Sequence, residues 1–307
     1  MKKHVVVFPT IFGLILGGLV LYFGFGRSNV YAQINRVSRI VKADPAAGSS
    51  GGSSAEFARF AAAASQNARL RSSLEWNFGK AQTGWDIYVP LISRTIGTDA
   101  SPDSAQFASA LSKWQARNSL QPNGILDADT LGAFIKYWQS QRLHQNGAAV
   151  DSALIEAPIS DFYDPTRSPV LLKLERETYA AYKRMVAAAV KDLHSQLKVT
   201  RSVELAPDEK FLRIVSAYRS PEYQEQLRKH EPGAGRVALA KNSVHFTGRA
   251  IDLYVGGEPT ITKDPNRMIQ VQTPVYKWLV KNAQRFGFYP YFYEPWHWEY
   301  VPGTAKQ

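Results

Sequence analysis

Two short stretches hold residues whose types and spacing could do chemistry. The first is Ser243-Val-His245-Phe-Thr-Gly248-Arg-Ala250-Ile-Asp252, which sets an imidazole seven residues ahead of a carboxylate. Asp252 lies inside the apolar run Ala250 to Val255. A carboxylate there is costly unless it is paired or bound to a metal. The second stretch is Glu294-Pro295-Trp296-His297-Trp298-Glu299-Tyr300. On a strand, His297 shares a face with Glu299, while Trp296, Trp298 and Tyr300 point the other way and anchor the strand in a core. Pro295 biases Glu294 towards an extended backbone, so Glu294 can stand beside a metal held by His297 without ligating it. Glu299 reads as a structural residue or an outer partner of His297. Two neutral imidazoles and one carboxylate leave Zn²⁺ an open fourth position for water, whose proton a nearby carboxylate can take. A third piece, Ser216-Ala-Tyr218-Arg219-Ser220 with Gln224 following, ends a strand on a guanidinium. That fixed cationic fork suits a carboxylate or a developing oxyanion.

These residues need elements to hold them. Ala250 to Val255 reads as a strand with Ala250, Asp252 and Tyr254 on one face and Ile251 and Leu253 on the other. Gly248 lets the preceding loop fold back, so that His245 can meet Asp252. Phe211 to Ser216 and Trp296 to Val301 read as further strands. Leu171 to Leu197 reads as one long helix. Thr273-Pro274 starts another, with Thr as N-cap, running to about Phe286 with Gly287 as its stop. The region 170–307 is therefore α+β. Ahead of it, three prolines in 157–169 break the periodicity, and 151–169 reads as a linker.

Residues 55–150 read as helical. Phe107, Leu111 and Trp114 fall at helical spacing. Asn123-Gly124 then makes a turn, and a new helix caps near Asp127 or Asp129 before Phe134 and Trp138. The Gly/Ser run at 46–54 reads as flexible, making 33–54 a linker. At the N-terminus, Lys2 and Lys3 precede an apolar run from Val5 to Gly26. At ~1.5 Å per residue the run spans roughly the ~30 Å of a hydrocarbon core. Residues 1–32 are thus expected to be a membrane anchor or a signal peptide cut after Ala32, with the chain exported to the cell envelope.

Composition bounds the rest. The chain has 307 residues, 45% apolar and 21% charged, which excludes a wholly disordered protein. The absence of cysteine removes disulfides, thiol nucleophiles and Cys-based zinc sites. A net charge of +11 suits an anionic partner. Export makes that partner a wall polymer or membrane face rather than nucleic acid. Competing chemistries fail on spacing. His230-Glu231 lacks a second histidine at 234, which is Ala, and Ser195-Gln-Leu-Lys198 has no Lys-Thr-Gly to accompany it. His144, His194 and His230 read as surface or satisfied core residues.

In combination and order, Tyr-Arg-Ser at 218–220, Ser-x-His-x-x-Gly-x-Ala-x-Asp at 243–252 and Glu-x-x-His at 294–297 resemble the VanY-type zinc D-alanyl-D-alanine carboxypeptidases. The resemblance spans about 174–300. It implies His245, Asp252 and His297 as zinc ligands, Glu294 as base and later acid, and Arg219 as stabiliser of the tetrahedral intermediate. Ser243 and Gln224 would lie near the substrate. The stretch from Ser104 to Gln141 resembles the three-helix peptidoglycan-binding-like domain, whose pattern is a Gln-ended helix, a Gly turn and a Thr-Leu helix start. Together the resemblances imply an envelope enzyme that binds cell-wall polymer and removes terminal D-Ala from peptidoglycan stem peptides. An endopeptidase of L-Ala-D-Glu type using the same zinc, or a non-catalytic wall-binding protein, are the alternatives.

Overall fold

The computed structural model describes residues 51–144, 147–230 and 243–305. The segments expected as anchor or signal (1–32) and most of the linker (33–50) lie outside the described residues. Among the described residues, no helix is long and apolar enough to cross a membrane. The described residues cluster as a single unit.

Helix α1 (Gly51–Ser73) begins within the Gly/Ser run, so residues 51–54 are helical rather than linker. A small hairpin follows, β1 (Glu75–Phe78) paired antiparallel with β2 (Lys80–Thr83). Three helices come next: α2 (Val89–Ile96), α3 (Ala105–Arg117) and α4 (Ala128–Ser140). Ser104 caps α3 by accepting from the Phe107 N–H, and Asp127 caps α4 by accepting from the Thr130 N–H. Gln115, buried at the end of α3, ties the intervening turn together. Its amide donates to the Ile125 carbonyl at 2.9 Å and to Thr130 Oγ1 at 3.0 Å. Its oxygen accepts from the Gly124 N–H at 2.8 Å. Gly124 sits at φ +74°, and a Cβ there would lie 2.6 Å from the Ala108 carbonyl oxygen, so the turn requires glycine.

The α+β region opens with β3 (Leu154–Glu156) paired to β4 (Lys173–Glu175), and then α5 (Arg176–Asp192). The expected helix from 171 to 197 is thus shorter at both ends. The Lys173–Glu175 backbone is taken by strand pairing, and Glu175 caps α5 by accepting from the Thr178 N–H. The main sheet is antiparallel, in the order β5 (Ile214–Ser216), β6 (Ala250–Leu253), β8 (His297–Tyr300), β7 (Phe288–Pro290). Helices α6 (Pro221–His230), α7 (Asp264–Gln272) and α8 (Pro274–Asn282) complete the chain. Thr273 caps α8 by accepting from the Tyr276 N–H, and Gly287 at φ 86° ends the 3-10 turn that follows it.

Alternation divides the sheet. Ile251, Leu253 and Trp298 join a continuous apolar core with Ala181, Tyr182 and Met185 of α5. The same core contains Trp85, Tyr88, Phe107, Phe134 and Trp138 of the helical segment. Phe292, just before Glu294, makes ring contacts with Phe78 at 4.8 Å, Tyr88 at 5.6 Å and Trp138 at 6.1 Å. The other face of β6 and β8 carries Asp252, His297 and Glu299, all buried.

Candidate active site

Strand pairing brings two of the candidate residues together directly. In the β6–β8 register Asp252 stands opposite His297 and Ala250 opposite Glu299. His297 Nδ1 lies 2.9 Å from Asp252 Oδ1. His245 arrives from a 3-10 turn (Val244–Thr247) that closes on Gly248 at φ 69°. This puts His245 Nε2 3.4 Å from the same Asp252 oxygen. A Cβ on Gly248 would come within 2.8 Å of the Glu175 backbone nitrogen, so the turn can pack there only as glycine. Among the described residues, His245, Asp252 and His297 form a potential metal-binding group, with one donor atom from each within 4.8 Å of the others.

The donor atoms fit a metal. Tetrahedral zinc with ligands at ~2.0–2.1 Å needs donors about 3.3 Å apart, and the two spacings of 2.9 and 3.4 Å bracket that edge. Both imidazoles are also fixed on their far side. His245 Nδ1 donates to the Ala217 carbonyl at 2.7 Å, leaving Nε2 facing Asp252. His297 Nε2 bonds Glu299 Oε1 at 3.1 Å, leaving Nδ1 facing Asp252. An acceptor on the outer nitrogen sets the tautomer and the ring orientation of a ligating histidine.

Glu294 reaches the cluster through a tight turn rather than an extended arm. The His297 N–H donates to the Glu294 carbonyl at 2.9 Å, with Pro295 second in the four-residue turn. The Glu294 carboxylate lies 3.9 Å from His297 Nδ1 and is not part of the three-donor group. Arg219 leans on the outer oxygen of Asp252 at 3.1 Å, and its Nε donates to Ser216 Oγ at 3.0 Å. Gln224 accepts from Arg219 Nη1 at 3.4 Å. Ser243 accepts from the His245 N–H at 3.3 Å and so begins the turn that carries the imidazole.

Burial and charge set the titration of these groups. Burial pushes the Glu294 carboxyl up to about 7, with His297 opposing the shift and Asp252 adding to it. Burial also pushes His245 down to about 4, helped by the Arg219 cation. For His297 burial favours the neutral ring, but hydrogen bonds to Asp252 and Glu299 outweigh it and raise the group to about 9. Asp252 resists burial in the same way, held well below the usual carboxylate range by the two histidines.

Residues 171–303 match the family model of the D-alanyl-D-alanine carboxypeptidase VanY. This region is a VanY-family domain. The chain thereby carries the domain of a zinc-dependent carboxypeptidase family, and its His–Asp–His group offers nitrogen and oxygen donors of the kinds zinc takes. No curated protein matches the chain. One solved structure that matches is a mutant of the vancomycin-resistance D,D-pentapeptidase VanY, from a VanB-type resistance cassette, in complex with Zn(II). It is 21% identical, covers 42% of this chain and 73% of its own, and superposes with a TM-score of 0.26. The assignment of the VanY domain rests on the family match and the site geometry.

One set of contacts at the site has no local signature in the sequence. Glu299 receives Arg142 and the Leu143 N–H from the helical segment, across more than 150 residues of chain. Its place on the His297 face was legible from alternation; its partners were not.

Proposed function

We propose that the chain is a zinc-dependent D-alanyl-D-alanine carboxypeptidase of the cell envelope, removing terminal D-Ala from peptidoglycan stem peptides. The observation that carries this is the convergence of His245 Nε2, Asp252 Oδ1 and His297 Nδ1, with the Glu294 carboxylate 3.9 Å from His297. His245, Asp252 and His297 would hold the ion. When bound, zinc supplies Lewis acidity towards the scissile carbonyl and towards water. Glu294, held near 7 by burial, takes the proton of the attacking water on its carboxylate and returns it to the leaving amine. Arg219 fixes Asp252 through one nitrogen and adds positive charge where the oxyanion develops. Gln224 and Ser243 complete the substrate side of the site. Their support is proximity, Gln224 to Arg219 and Ser243 to the His245 turn.

Two further assignments belong to this reading. The three-helix pattern, with Gln115 knitting the Gly124 turn, supports peptidoglycan binding by the helical segment. The apolar N-terminal sequence and the net charge of +11 support export and retention beside an anionic wall.

Mass spectrometry of a muropeptide pentapeptide incubated with the zinc-loaded chain tests the proposal. Loss of a single alanine is expected. An internal cut would reassign the enzyme as an endopeptidase, and no cleavage by the folded, zinc-loaded chain would make it a binding protein.

A further inference from the structure

The family match begins at residue 171, yet the carboxylate behind His297 is held from outside that region. Glu299 is fully buried. Its Oε1 accepts from His297 Nε2 at 3.1 Å and from Arg142 Nε at 3.0 Å, and Arg142 Nη2 closes on the same oxygen. Its Oε2 accepts from the Leu143 N–H at 3.0 Å. Arg142 is in turn fixed just beyond α4. Its Nη1 donates to Gln139 Oε1 at 2.8 Å, and its guanidinium lies 4.1 Å over the Tyr291 ring. Tyr291 closes the loop, since its N–H donates to the His297 carbonyl at 3.0 Å and its ring meets the His297 ring edge-on at 5.9 Å. The helical segment therefore grips His297 through Glu299 on one side and through Tyr291 on the other.

We propose that Arg142 is a positioning residue for the metal site, acting through Glu299 to aim His297 Nδ1 at the ion, so that the helical segment completes the VanY domain's zinc centre. The inference rests on the zinc reading of the His245–Asp252–His297 group. The physical reason is the burial of Glu299. A carboxylate with no solvent access needs a cation and hydrogen-bond donors to stay in place. The guanidinium supplies both in a planar fork, which an ammonium cannot reproduce. Without Arg142, Glu299 keeps only the His297 ring and the Leu143 N–H as buried partners, and loses the cation that fixes it behind the imidazole. Loss of such an outer partner weakens metal binding about 10–100-fold.

The test uses the full chain and reads zinc affinity by chelator competition, together with the visible absorption of the Co²⁺-substituted protein. Arg142→Gln and Glu299→Gln are each expected to weaken zinc binding about 10–100-fold and to shift the Co²⁺ bands. The double variant is expected to bind no more weakly than the worse single variant, because both act through one contact. Zinc affinity of Arg142→Gln within twofold of wild type, or additive losses in the double variant, would overturn the inference while leaving the metal site intact. A folded wild-type chain that takes up no zinc would overturn the metal reading and this inference with it. Should Arg142→Gln fail to fold, Arg142→Lys takes its place. The lysine keeps the charge but not the fork, so at least threefold weakening with shifted Co²⁺ bands is expected, and affinity within twofold of wild type overturns the inference.

Discussion

At the residue scale, the decisive feature is an imidazole with a carboxylate on each side. His297 sits between Asp252 and Glu299 and is raised to about 9. On the zinc assignment proposed above, the ion takes its neutral Nδ1, so at pH 7.5 binding must displace a proton. We expect release of about one proton per zinc, with apparent affinity rising roughly tenfold per pH unit up to about pH 9. Calorimetry in buffers of different ionisation enthalpy measures this; binding with no proton release at pH 7.5 would contradict the charge state of His297. Glu294 carries a second prediction. Its folded value of about 7 lies above the ordinary 4.5, so between these pH values the fold holds a proton that the unfolded chain has lost. Stability of the metal-free chain therefore falls as pH rises through that window. Glu294→Gln removes the loss. The variant should melt higher than wild type at pH 8 and show no such gain near pH 4.5, while retaining zinc and losing turnover. Unchanged turnover would remove Glu294 from its role as base.

At the element scale, the site depends on two turns and one strand pair. Gly248, at φ +69°, is what lets the His245 turn close back onto β6, and a Cβ there meets both Glu175 and Leu154 at 2.8 Å. Gly248→Ala should cost about 1–3 kcal/mol of stability. It should also weaken zinc binding, because the displaced turn carries His245, a proposed ligand. Chemical denaturation with parallel zinc titration measures both, and a variant as stable as wild type would show that the turn can relax. Much of this level was readable in the sequence. Alternation in 250–255 and 296–301 set Asp252 and His297 on the strand faces opposite Ile251, Leu253 and the tryptophans, and Thr273 and Asp127 marked helix starts by their capping chemistry. The misreadings were elements whose state is set from afar. Glu75 to Phe78 is a short, half-polar hairpin strand with too few alternations to register. Lys173 to Glu175 has helical composition but is claimed by pairing with β3.

At the scale of the whole molecule, the helical segment and the VanY domain share apolar contacts that sequence periodicity could not reveal. Phe78, Tyr88 and Trp138 converge on Phe292, two residues before Glu294. Arg142 reaches Glu299 across 157 positions, a pairing no local pattern encodes. Motif order made the candidate zinc residues legible because each lies in a short, chemically constrained stretch. The support for the loop that holds Glu294 comes from distant side chains instead. A fragment comprising residues 170–307 would expose Phe292 and Tyr293, and losing the burial of Phe292 alone costs roughly 2–3 kcal/mol. We expect the fragment to unfold at lower denaturant and to bind zinc more weakly than residues 51–307. Equal stability and equal affinity would show that the region folds and assembles its site independently of the helices.

The most direct test is anomalous diffraction at the zinc edge from crystals of the zinc-loaded chain. We predict a single strong peak within bonding distance of His245 Nε2, Asp252 Oδ1 and His297 Nδ1, with the Glu294 carboxylate beside it and unbound. A peak elsewhere in the molecule, or one that omits any of those three donors, would contradict the proposed centre.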